Sequence, residues 1–329
     1  MRATAHPPRT STGRVLALAA AGVLALATAA CGSSTDAGST PSAAGQSSAA
    51  APAKRTVQTP KGPVEVPGDP KKIVAIDFQI PYILLDLKAN LAGAIDLTGA
   101  KDGAPFKQLT IIGTETGELN YDKIAELDPD LILAGDYQEA DYEKLKDRYP
   151  TVLIPAVGDI PGWKPQVKAV AEAVGKAGEV DGLEKAYQAK VTELKDKHKD
   201  KLAGKKWATL GTYDGSGWYL YDKVSGPSTA LADLGATFDE ATTKVADGNV
   251  AQYSIEQLNT LNGADVLLFD DLGPPVTAPG AAEKLKANPL YTSITAVKAG
   301  KVYDGEYNIL DYGDAMRVLT KLDEVLGKL

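Results

Sequence analysis

One cysteine and two histidines in 329 residues leave several chemistries without their parts. A lone Cys31 cannot form a C-x-x-C pair. His6 precedes the expected mature chain, and His198 falls on the flank of an apolar helix stripe, so a zinc or manganese site built from several imidazoles is excluded. A Ser-His-Asp hydrolase lacks its positioned histidine for the same reason, and "DGSGW" around Ser216 departs from G-x-S-x-G. The phosphate-cradling G-x-x-x-x-G-K-S/T is missing as well. No apolar run reaches the roughly 18 to 20 residues that a membrane-spanning helix needs.

What is present begins with Arg2, Arg9 and Arg14, followed by "VLALAAAGVLALATAA" from Val15 to Ala30 and then Cys31. A basic start, a short apolar run and small residues describe an export signal over residues 1–30. "ATAAC" is similar to the lipobox of bacterial lipoproteins, whose cysteine becomes the lipidated first residue of the mature chain, with Thr28 standing where Leu is usual. A secretory cut after Ala29 is the alternative, and it would strand a free thiol in an oxidising compartment. Residues 31–55, nearly all Gly, Ser, Ala, Thr and Pro, cannot bury enough apolar surface to order themselves and read as a flexible tether. The chain is therefore expected outside the cytoplasm, anchored to the outer face of the cell membrane by a lipid on Cys31.

Removing the three signal arginines from 35 basic residues leaves 32 against 43 acidic ones, a net charge of about −11. That balance excludes nucleic acid, which needs a basic footprint. Along the folded part, short β-branched runs ("KKIVAIDF", "LAGAIDL", "LILAG", "PTVLIP") alternate with helical spacing, which predicts an α/β lobe over residues 56–162. Residues 163–203 carry helices instead, with Leu183, Tyr187, Val191, Leu194, His198 and Leu202 forming one stripe. Alternation resumes over residues 204–329 with "KKWATLGTY", "GWYLYDKV" and "ADVLLFD". Pro81 is expected in the first turn of its helix, Ser228 as a cap and Gly235 as a stop.

One phrase is written twice. "YDKIAELDPDLILAG" starts at Tyr121, and "SIEQLNTLNGADVLLFD" repeats its acidic opening, apolar face, tight turn and buried strand. Any two βαβ units share that much. With "VEVPGDPKKIVAID" before it, "PTVLIP" after it and "NPLYTSITAVKAGKVYDG" near the end, the order resembles the bacterial periplasmic-binding-protein family that delivers ferric siderophores and cobalamin to ABC importers.

The resemblance implies an α/β fold of two parallel-sheet lobes joined by one long rigid helix, with a ligand cleft between the lobes and little movement on binding. It also implies a non-enzymatic monomer without a resident cofactor, working with a membrane permease dimer. Open α/β sheets bind ligands beyond the carboxyl ends of their strands, and there the sequence places Phe78, Tyr137, Tyr213, Trp218, Tyr221, Tyr307, Tyr312 and Arg317. Aromatic rings suit an organic iron chelate, which brings its own metal ligands. A tris-catecholate complex, with roughly three negative charges, would call for clustered Arg or Lys. The mature chain has three arginines, Arg55 in the tether, Arg148, and Arg317, which favours a ferric hydroxamate of the ferrioxamine type. Catecholate siderophores, haem and cobalamin remain alternatives, as does an extracellular α/β enzyme or scaffold. In the family, one carboxylate on each lobe docks on the permease, and Asp122 and Glu256 carry the match; an acidic residue favoured by a helix N-terminus is the plainer explanation.

Overall fold

The computed structural model describes residues 53–100, 103–114, 116–155, 162–273 and 276–329. The export signal, Cys31 and nearly all of the expected tether lie outside them.

The described residues open with a hairpin that the tether-like composition had hidden. Strand β1 (Lys54–Thr59) pairs antiparallel with β2 (Gly62–Pro67). Arg55 belongs to β1 and not to a tether. Its guanidinium donates to the carbonyl oxygens of Glu172 and Ala173, at the end of the helix Trp163–Val174. The Glu172 carbonyl also accepts the N–H of the C-cap Gly175 at 3.4 Å, and in this last turn, where carbonyls run short of donors, the arginine's charge suits the negative end of the dipole.

The first sheet contains β3 (Ile73–Ala75), β4 (Leu91–Ile95), β5 (Thr110–Gly113), β6 (Leu131–Gly135) and β7 (Thr151–Ile154), all parallel in the order β5-β4-β3-β6-β7. Side chains alternate between its faces, so Val74, Ile132 and Leu153 enter one apolar cluster while Ile73, Leu131 and Val152 enter another. The chain steps outward from β3 to β4 and β5, then returns to the other side of β3 as β6. That reversal makes the β3–β6 boundary a topological switch point.

The second sheet contains β8 (Lys206–Gly211), β9 (Gly217–Tyr221), β10 (Thr237–Phe238), β11 (Val250–Ser254), β12 (Val266–Asp270) and β13 (Val302–Gly305). Its main order is β11-β9-β8-β12-β13, with β10 beside β8. Strands β8, β10, β12 and β13 run parallel, but the tight turn after β8 returns the chain as an antiparallel β9, and β11 pairs antiparallel with β9. This sheet is therefore mixed where a fully parallel one was expected.

Between the sheets run the helices Trp163–Val174, Ala177–Lys197 and Lys199–Leu202. The stripe at Tyr187, Val191, Leu194, His198 and Leu202 is buried, and His198 Nε2 lies 2.5 Å from Asp323 Oδ1 of the C-terminal helix Tyr312–Gly327. A single apolar cluster includes one face of each sheet, this helical spine and the C-terminal helix. Pro81 sits in the first turn of Ile80–Asp86, as its spacing indicates. Ser228 is not a cap: Gly226 holds that position, Pro227 begins the helix, and the Ser228 hydroxyl is buried inside it. Gly235, at φ 84°, takes the left-handed conformation just past the helix end.

The two halves of the repeat fold differently. "YDKIAEL" is an α-helix (Tyr121–Leu127), whereas Ile255–Gly263 is a 3-10 helix. Leu258, Leu261 and Ala264 recur at a spacing of three and are all buried. Three residues per turn keeps such a row in line, where an α-helix would rotate it off the core.

Candidate functional site

Asp77 follows β3 and Tyr137 follows β6, on the two sides of the switch point. The Asp77 side chain is buried, and its Oδ1 accepts from the backbone N–H of Gln79 at 2.6 Å and of Ile80 at 2.9 Å, fixing the start of the next helix. Its Oδ2 accepts the Tyr137 hydroxyl at 2.6 Å. A hydrogen bond to a charged acceptor contributes about 1.5–3 kcal/mol, several times thermal energy, so the phenol is held in one orientation. Gln138 locks the same loop, donating to the Ile76 carbonyl at 2.7 Å and accepting from Gly135 N–H at 2.9 Å. A Cβ at Gly135 would come within 2.5 Å of Tyr137 Cε1, so only glycine lets the ring lie there.

Beyond these anchors the rings reach solvent. Tyr137 is 58% exposed and Phe78, beside it, 38%. On the second lobe, Tyr213 follows β8 and is 43% exposed, resting on the buried ring of Tyr219 at 4.6 Å between centroids. The loop after β12 is tied to it by Ala278 N–H donating to the Tyr213 carbonyl at 2.7 Å, which brings exposed Val276 to the same edge. Of the five large apolar side chains left exposed among the described residues, four (Phe78, Tyr137, Tyr213 and Val276) follow strand carboxyl ends. Apolar surface collected in one place marks a binding face.

The profile of the periplasmic binding protein family matches residues 73–307, from β3 to the loop beyond β13. The chain belongs to that family. Periplasmic binding proteins hold substrates and do not transform them. An iron-uptake system-binding protein of Bacillus subtilis is 27% identical over 299 residues, covering 88% of this chain and 90% of the relative. An iron(3+)-hydroxamate-binding protein of the same organism is 27% identical over 288 residues, covering 84% and 85%. Among solved structures, the siderophore periplasmic binding protein from the fuscachelin gene cluster of Thermobifida fusca is 26% identical, with a TM-score of 0.67 and coverage of 80% and 99%. The fold also matches a triscatecholate siderophore binding protein of Bacillus subtilis at 22% identity, TM-score 0.70 and coverage of 84% and 99%.

In this periplasmic binding protein, burial removes four of the expected aromatic residues from the cleft surface. Trp218 and Leu220 alternate inward along β9 into the core, where the Trp218 ring stacks on Tyr253 at 4.5 Å and its Nε1 donates to the Ser254 carbonyl. Tyr221 donates to Asp270 Oδ2 at 2.7 Å and is itself buried. Tyr307 is fully enclosed, and its backbone N–H donates to Asp270 Oδ1 at 2.7 Å. Tyr312 lies in the helical spine, donating its hydroxyl to Glu184. Arg317 reaches solvent, but its guanidinium donates to the Glu306 and Asn308 carbonyls at 2.8 and 3.1 Å and to Asp314 at 2.9 Å, bracing the loop beyond β13.

The buried carboxylates behind the rings had no apolar signature to reveal them. Asp77 could be read only as the end of a strand, and Asp270 only as the last residue of "VLLFD". Burial pushes the Asp270 carboxyl up to about 6. Asp122 and Glu256 are exposed in the first turns of their helices, one per lobe, and a groove lined by Ile111, Leu119 and Tyr121 opens beside Asp122. Cys31 lies outside the described residues. Among those residues no group of three His, Cys, Asp or Glu side chains is arranged to hold a metal ion, and no helix is long and apolar enough to cross a membrane.

Proposed function

We propose that this protein captures a ferric siderophore of the hydroxamate class, ferrioxamine-like in shape and charge, and delivers it to an ABC permease dimer. One observation carries the reading: the exposed rings of Phe78, Tyr137 and Tyr213 follow the strand ends, while Arg317 braces the loop beyond β13. Rings and apolar edges suit the organic envelope of a chelate. Buried Asp77 and Asp270 behind them disfavour a complex with several negative charges. The relatives' names include iron(3+)-hydroxamate binders, which supports the class.

Titrating intrinsic fluorescence with a ferrioxamine, a ferric tris-catecholate, haem and cobalamin tests the assignment. Ferrioxamine is expected to quench at concentrations at least about tenfold lower than the others, a difference of about 1.4 kcal/mol. Tighter quenching by the catecholate, or by haem or cobalamin, would reassign the ligand; no quenching by any of the four would remove the transport reading altogether.

Delivery rests on Asp122 and Glu256, one exposed carboxylate on each lobe, docking on basic pockets of the permease while the monomer is held nearby by a lipid on Cys31. Reversing both charges to lysine is expected to abolish uptake by cells and leave the ligand titration unchanged. Cys31→Ala in the same assay is expected to release the protein into the surrounding medium. Loss of ligand binding in the charge-reversed protein would refute the docking role.

A further inference from the structure

The Tyr137 hydroxyl has one proton, and Asp77 Oδ2 holds it at 2.6 Å. Nothing at this position is left to donate to a ligand. Asp77 is 2% exposed, and two backbone N–H groups fix its other oxygen, so its charge cannot swing away. The ring edge packs on Gly135, where a Cβ would meet Tyr137 Cε1 at 2.5 Å and Asp77 Oδ2 at 2.8 Å. The rest of the ring is open to solvent. Burial, Asp77 and Asp136 all act on the phenol in one direction, keeping it protonated.

A phenol that donates inward to a carboxylate is more electron-rich than a free one, and the face it shows is attractive to a cation. The carboxylate adds its own field through a site that water only partly screens. We propose that Asp77 is a positioning residue, fixing Tyr137 as a proton-accepting, cation-receiving face that selects a chelate bearing an ammonium group over a neutral one of the same shape. The inference rests on the hydroxamate reading and adds the charge of the ligand's periphery to it.

The probes are a linear ferrioxamine with a free terminal ammonium and the same complex N-acetylated, which share the iron centre and differ by one charge. The wild-type chain is expected to bind the ammonium form about tenfold more tightly. In Asp77→Asn the amide can still accept from Gln79 and Ile80, but it donates to Tyr137 and turns the phenol proton outward. Its preference between the two probes is expected to fall to near unity.

Should Asp77→Asn lose its cooperative melt, Tyr137→Leu decides, since it leaves the helix-capping carboxylate in place and removes the face; its preference is also expected to vanish. A tenfold preference that persists in the folded Asp77→Asn protein, or in Tyr137→Leu, overturns the proposal. Equal binding of both probes by wild type overturns it alone, whereas binding of neither overturns it together with the hydroxamate reading.

Discussion

Trp163→Ala is expected to lower the unfolding free energy by about 4 kcal/mol, the scale of deleting a large ring from a closed core. Trp163 is 2% exposed and meets Tyr187 and Tyr312 edge-on, at 5.9 and 4.8 Å between centroids. Each such pair adds about 0.5–1.5 kcal/mol beyond the area it buries. Among the described residues its Nε1 has no hydrogen-bond partner, so the substitution forfeits packing and the contact of the Lys164 ammonium with the ring face, 5.7 Å from its centroid. Around the rings, Asp233 accepts from Tyr187 at 2.8 Å and from Lys164 at 2.9 Å, and Glu184 accepts from Tyr312. The next helix in the chain and the distant C-terminal helix therefore both lean on one indole. Denaturant titration of the two proteins checks the figure, and a loss under about 1 kcal/mol would show that the site collapses around the missing ring.

Asp311→Asn is expected to stabilise the protein at pH 8 by about 2 kcal/mol and to have little effect near pH 4. Asp311 caps the C-terminal helix, accepting from Asp314 N–H at 2.8 Å, and is 7% exposed. Burial, followed by the charges of Asp314 and Asp86, pushes its carboxyl from 3.8 up to about 7, with Arg317 offsetting part of the effect. The folded chain thus holds this proton more tightly than the unfolded chain does. For this group stability is greatest below about pH 4 and falls as pH rises to about 7, where both states are ionised. The full shift would correspond to more than the figure given, but the amide oxygen of asparagine accepts a weaker hydrogen bond from Asp314 N–H than the carboxylate does, which offsets part of the gain. Asparagine caps a helix as well as aspartate, so the change isolates the charge. Thermal melts of both proteins at pH 4.5 and pH 8 decide; parallel pH dependence would mean that Asp311 is ionised without cost in the fold.

Much of this architecture can be read from residue order because buried parallel strands are short, nearly continuous apolar runs. Strands β3, β6, β7 and β12 are of that kind. The strands that escape notice are short or half-exposed: the β1–β2 hairpin and β11 show mixed burial and carry Gln, Lys, Glu or Pro among their apolar residues, and β5 is only four residues long with one of them buried. The same principle separates the aromatic residues. Phe78, Tyr137 and Tyr213 stand past the ends of their strands and reach solvent. Trp218 and Tyr221 lie within β9, where pleat and neighbours decide which way a ring points. Tyr307, in the loop beyond β13, and Tyr312, the first residue of the C-terminal helix, look open in sequence but are drawn inward by Asp270 and Glu184. Pairing partners many residues apart leave no local trace in a sequence.

The apolar cluster shared by both sheets also bears on modularity. Each of the two sheets presents one face to the same core. Excising either half would uncover that face along its whole length, so the lobes are not interchangeable cassettes. Recombining lobes from two relatives would succeed only where the helices between them travel with the graft.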